Sequence, residues 1–337
     1  MLLFYSILLG EDLVENRYIR YTLALLFATF FVYVIPWVEL FGEEFHDIPH
    51  YITRIIYLKG GGDEAVYHGI GWLFSEPLWK GIIIAIGNLF EDYRAVLYGI
   101  SFFIVFTYTS FLLKRVEFYI AMIFLFNPMM VHLFIEQIRI SFAFSLVLIA
   151  YEIYRQSRVY FYLAVILLVM APLIHTAIVV FYAIYAVLYY ADSRVEDKKY
   201  YLVSIGIALS VALFIKYGAN IILMMVGDRR ANYEKVIESS SIAYSIAWFI
   251  ISWILATFAE FKEHQSRIVV AYAITVMSFF FFSSVLNMFA ARFVAVIMPF
   301  IIIAISYLPK HFKQGTYLFL LAYNIYSFKY WLKLTLI

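Results

Sequence analysis

The sequence predicts an all-α fold, a polytopic bundle of transmembrane helices. Three observations predict it. Of 337 residues, 65% are hydrophobic and only 14% are charged, with a mean hydropathy of +0.88. A soluble chain of this size needs far more polar surface. The apolar runs are about 15–25 residues long and separated by short charged patches, which suits helices crossing a hydrocarbon layer roughly 30 Å thick. A β-barrel would instead alternate over segments of about ten residues. The whole chain, 1–337, is expected to form one integral-membrane domain.

Taken in order, residues 1–9 are apolar but too short to span, and they lack a basic leader and a cleavage site. Arg17 and Arg20 precede a span at 21–40, and Glu39, Glu43, Glu44 and Asp47 follow it. Basic before and acidic after places the N-terminus inside. Residues 41–93 are expected to be an external loop containing Gly60-Gly61-Gly62-Asp63, Tyr67-His68 and Ser75-Glu76-Pro77. Pro77 suits the first turn of a helix. That helix, ending near Phe90, is about 14 residues long and reads as re-entrant or surface-lying, although a crossing from about residue 69 is the alternative.

Further spans are expected at 94–113, 117–135, 138–154, 159–173, 175–191, 200–226, 241–259, 268–286, 292–308 and 316–334, about 11 in all. Pro172 divides the stretch around His175, which reads as two short helices meeting at the histidine rather than one kinked helix. Lys114-Arg115, Arg155 with Arg158, Arg194 with Lys198-Lys199, Lys262 with Arg267, and Lys310 with Lys313 all fall on the inner side. The bias is imperfect: about as many Lys and Arg fall on the outer side overall, and Lys329 and Lys333 flank the last span on that side.

This topology gathers Arg139, His175 and Arg292 at the outer face, with Asp63, Glu76 and the external loop 227–240 carrying Arg229 and Arg230. Ionisable groups at membrane depth are costly and are functional candidates. Arginine offers a planar fork to phosphate oxygens and stays charged, so several arginines suit a pyrophosphate. Histidine is the usual general base for a hydroxyl. Each residue also has a structural reading. Arg139 can pair with Glu136 on its own helix, His175 can cap a broken helix, and Glu76 can be an N-cap. Arg292 can snorkel, Arg229 and Arg230 can meet lipid phosphates, and Asp63 can be a turn residue.

Other chemistries lack their residues. With no cysteine, the chain has no disulfide, thiolate or Cys-ligated zinc. Gly60-Gly61-Gly62 is not followed by the Lys-Ser/Thr of a phosphate loop, and neither HExxH nor GxSxG occurs. No cofactor or metal is expected, and without a basic tail no nucleic-acid partner is expected either.

In order the chain carries Gly61-Gly62-Asp63-Glu64-Ala65-Val66-Tyr67, Glu76-Pro77-Leu78, Arg139 with Ala143, His175-Thr176-Ala177-Ile178, and Arg292. This order of motifs resembles the EpsG-type exopolysaccharide-polymerising proteins and the related Wzy O-antigen polymerases. The resemblance covers most of residues 55–310. Here Ile140 follows the arginine where the family often has Gln, and Gln137 precedes it. The resemblance implies a GT-C-like glycosyltransferase membrane architecture in a bacterial inner membrane, with the site facing outside. It implies joining of undecaprenyl-pyrophosphate-linked oligosaccharide repeat units for capsule, O-antigen or exopolysaccharide, with donor and acceptor both lipid-linked. A chain-length regulator and a flippase are the implied protein partners. His175, Arg139 and Arg292 are the expected catalytic residues. Arg229, Arg230, Asp63, Tyr67 and Glu76 are the expected substrate contacts. Two other classes share these residue types. A membrane O-acyltransferase would use the histidine with a cytoplasmic acyl donor. A lipid-linked oligosaccharide flippase would line a central cavity with arginines and need no base.

Overall fold

A computed structural model describes residues 16–42, 44–62, 72, 75–156, 158–219, 221, 242–260, 264–288 and 290–331. Among these residues all regular structure is helical, as the composition requires. The chain begins with α1 (Arg17–Val34), α2 (Trp37–Phe41), α3 (Asp47–Lys59), α4 (Pro77–Leu89), α5 (Tyr93–Leu113), α6 (Phe118–Leu125) and α7 (Pro128–Glu136). It continues through α8 (Ile138–Gln156), α9 (Phe161–Ile174), α10 (Ile178–Asp192), α11 (Asp197–Leu213), α12 (Ile242–Phe258) and α13 (His264–Val285). It ends with α14 (Ala291–Val296), α15 (Met298–Ser306) and α16 (Lys310–Trp331).

Among the described residues, four helical stretches are long and apolar enough to cross a membrane: Arg17–Val34, Tyr93–Leu113, Lys199–Gly218 and Ser266–Val285. A fifth is the pair α6–α7, bent by 72°. The expected count of about 11 also took in shorter apolar helices such as α9, α10 and α12, which have 14, 15 and 17 residues. Helix α4 has 13 residues, about 20 Å, short of the roughly 30 Å hydrocarbon layer. It lies beside α3, with Tyr51 against Trp79 and Gly87 against Ile55. The region expected as an external loop at 41–93 is therefore largely helical where it is described.

Broken helices are a recurrent feature, and each break frees a backbone carbonyl in an apolar setting. Such a carbonyl is expensive unless a donor reaches it. At each of four breaks a side chain does. Trp37 Nε1 donates to the Phe31 carbonyl at the π-helical end of α1 (2.6 Å). Asn324 Nδ2 donates to the Ile123 carbonyl at the α6–α7 bend (3.0 Å). Pro172 has no N–H for the Leu168 carbonyl, so Tyr182 Oη donates instead (2.8 Å). Tyr108 Oη donates to the Val296 carbonyl between α14 and α15 (3.1 Å). The core around these donors is aromatic. Phe31 packs on Trp37, Phe126 and Phe134, and Phe144 on Phe181 and Phe300.

The molecule has two polar ends. At one end Glu152, near the close of α8, pairs with Lys114 and Arg115 just past α5, while Arg267 meets Asp192 at 3.2 Å. At the other end lie Glu44 paired with Arg94, and the start of α8 with Arg139. About 30 Å of α5 separates them.

Candidate functional site

The site is built where three helices begin or break. Glu76 precedes Pro77, which opens α4 without needing an N–H partner. Its backbone is left-handed, with φ 55° and ψ 57°. That conformation is costly for a non-glycine residue, on the order of 1–3 kcal/mol, and persists only where surroundings enforce it. The enforcement comes from Arg139 and His175. Glu76 is 5% exposed; its Oε2 accepts from Arg139 Nη1 at 2.7 Å, and its Oε1 lies 2.5 Å from His175 Nδ1. The Thr176 amide, in the turn before α10, also donates to Oε1 at 3.4 Å. Although Glu76 holds the N-cap position of α4, its side chain does not cap that helix.

Arg139 sits in the first turn of α8, after a break at Gln137. Its Nε donates to Tyr51 Oη at 3.3 Å, and its guanidinium lies 5.7 Å from the centre of the Tyr51 ring. The intrahelical pair between Arg139 and Glu136 does not form. Glu136 bonds instead to His132 one turn earlier in the π-helical turn His132–Glu136, and the break at Gln137 separates it from Arg139. His175 ends α9 in an extended conformation (φ −149°, ψ 113°), and α10 starts three residues later. The two helices meet at the histidine as expected, and its side chain bonds a carboxylate rather than a freed carbonyl.

Arg292, in the first turn of α14, lies within electrostatic reach of Asp47, Arg139, Tyr51, Glu136 and His175. The structure thus brings Glu76, Arg139, His175 and Arg292 to one end of the bundle, from positions up to 216 residues apart in sequence numbering. Asp63, Tyr67, Arg229 and Arg230, and the loop 227–240, lie outside the described residues.

Sequence reasoning missed Tyr51, Asp47 and the His132–Glu136 pair. The polar run His46-Asp47-Ile48-Pro49-His50-Tyr51 was the available signal for the first two. His132 and Glu136 lie four apart, which places them one turn apart in a helix. His132 is boxed by Phe41, Phe45 and Trp331, with ring centres 5.4, 5.6 and 4.2 Å away.

The chemistry of this end follows from its donors. Glu76 takes the Nδ1 side of His175, which leaves Nε2 as the ring's basic nitrogen. The carboxylate also orients the ring and would stabilise an imidazolium. Two arginines beside it suit an anionic group with several oxygens. Fold and site together define a helical membrane protein with a buried carboxylate–histidine–arginine cluster at one end. The family comparison gives this class a name: the chain belongs to the EpsG family, whose sequence profile matches residues 47–336. Family membership indicates a polysaccharide-polymerase-type, glycosyltransferase-like function. No curated protein and no solved structure matches the chain.

Proposed function

We propose that this protein joins undecaprenyl-pyrophosphate-linked oligosaccharide repeat units at the outer face of a bacterial inner membrane. The observation that carries the proposal is Glu76 bridging Arg139 and His175, with Arg292 nearby. His175 Nε2 takes the proton of the acceptor sugar hydroxyl, and the hydroxyl oxygen attacks the anomeric carbon of the donor. The bond from that carbon to the pyrophosphate oxygen breaks, and lipid pyrophosphate leaves with the electron pair. Direct displacement inverts the anomeric carbon. Because the sugar–pyrophosphate bond supplies the driving force, no nucleotide is needed.

Arg139 already gives Nε to Tyr51 and Nη1 to Glu76, so its Nη2 edge is the donor for a phosphate oxygen. Arg292 contributes the second positive charge against the leaving group. Glu76 acts through its partners by fixing the tautomer of His175 and the direction of Arg139. Arg229, Arg230, Asp63 and Tyr67 are assigned to substrate contacts, on the family motif and the outer-loop charge.

The test is the glycan profile of a deletion strain complemented with wild type, His175→Ala or Arg139→Ala. Wild type should restore a ladder of repeat lengths, while both variants leave single units at normal protein level. An unchanged ladder in both variants would overturn the assignment. Loss of an acetyl group with an intact ladder would make the protein an O-acyltransferase.

A further inference from the structure

A cavity of about 730 Å³ lies at the end of the molecule opposite the site, between the α5–α6 turn and the start of α16. Its charged lining is Arg20, Lys114, Arg115, Lys310, Lys313 and Glu117. Glu152 bonds both Lys114 and Arg115, and Glu117 adds a second negative charge. Three positive charges remain in excess, and Lys310 and Lys313 form no ion pair among the described residues. Arg20 Nε is buried without a hydrogen-bond partner among the described residues, with the guanidinium 5.2 Å from the centre of the Tyr21 ring. An orphaned, buried arginine nitrogen calls for an acceptor.

The cavity cannot serve the same pyrophosphate as the site. Arg94 and Lys114 flank the two ends of α5, and about 30 Å of helix separates them. The volume suits a small-molecule or headgroup site. The topology that puts the site outside puts this cavity at the cytoplasmic surface, where anionic headgroups attract basic residues.

We propose that this cavity binds a phosphate group at the inner face, carried by the headgroup of an anionic phospholipid. The same chemistry could come from a soluble phosphate, and the experiment separates the two sources. Full-length protein in neutral detergent is titrated with phosphatidylglycerol, phosphatidylcholine and inorganic phosphate, with binding read by native mass spectrometry and melting temperature.

Phosphatidylglycerol should bind in preference to phosphatidylcholine and raise the melting temperature. In Lys310→Gln/Lys313→Gln its affinity should fall about thirty-fold, from roughly fivefold per lost charge near a lipid surface. Lys310→Arg/Lys313→Arg should retain binding, and Lys199→Gln, outside the cavity, should not change it. Saturation by millimolar inorganic phosphate, with the lipid adding nothing, would assign the cavity to a soluble phosphate and overturn the lipid source. Equal binding of the two lipids, or equal affinity in wild type and the double glutamine variant, would overturn the proposal. Neither outcome bears on His175 or Arg139, so this test and the glycan test fail independently.

Discussion

Glu76 carries two jobs that substitution can separate. It supplies a buried negative charge to Arg139 and His175, and it holds a left-handed backbone before Pro77. Glu76→Gln keeps size and backbone but removes the charge. Arg139 then loses its carboxylate, and removing one partner of a buried pair costs about 3–5 kcal/mol. Glu76→Gly removes the same charge but relieves the backbone, recovering about 1 kcal/mol of that loss. The expected order of melting temperature is wild type, then Glu76→Gly, then Glu76→Gln, with polymer lost in both variants. A ladder from Glu76→Gln at normal protein level would remove the carboxylate from the mechanism. Much of this cluster was legible in the sequence because charge is rare in so apolar a chain. Glu76, Arg139, His175 and Arg292 stand out at the ends of apolar runs. Tyr51 did not stand out, because the chain has 30 tyrosines and its role depends on a partner 88 positions away.

At the scale of the element, the breaks in α1, α6–α7, α9 and α14–α15 decide where the site residues stand. Pro172 stops α9 near His175, and the price is the Leu168 carbonyl, which Tyr182 takes up. Tyr182→Phe should therefore cost about 1–3 kcal/mol, the penalty for a buried carbonyl left unmet. Pro172→Ala restores an N–H able to reach that carbonyl. In the Pro172→Ala background, Tyr182→Phe should cost much less, a coupling measurable by a double-mutant cycle of unfolding in detergent. Additive effects would mean that the hydroxyl does not serve the break. Proline marked this break in the sequence, and His175 was placed at it from the sequence alone. The α6–α7 bend was hidden inside a run read as one span at 117–135. Its stabilising partner, Asn324, bonds buried Asn127 at 2.5 Å from 197 positions away, and no local pattern reports such a pair. Hydropathy marks apolar runs, while the length and bending of the described helices bring only four, or five with the bent pair, to spanning length.

For the whole molecule, sidedness decides among the functional classes. The polar ends differ in composition. One carries Arg20, Lys114, Arg115, Arg267, Lys310 and Lys313 against Glu117, Glu152 and Asp192, and the other carries Glu44, Asp47, Glu76 and Glu136 against Arg94, Arg139 and Arg292. The proposed orientation keeps basic residues on the cytoplasmic side and turns the carboxylate-rich end outward. The sequence contains no cysteine, so one introduced thiol reports its own location. Glu91 is exposed between α4 and α5, and Val159 is 81% exposed at the turn between α8 and α9, beyond the end of α8 that holds Glu152. A membrane-impermeant maleimide applied to intact cells should label Glu91→Cys and spare Val159→Cys until the membrane is opened. The reverse pattern would put His175 within reach of a cytoplasmic acyl donor and away from an outward-facing lipid-linked glycan. The acyltransferase reading would then replace the polymerase, with the Glu76–His175 pair unchanged in geometry but acting on a different bond.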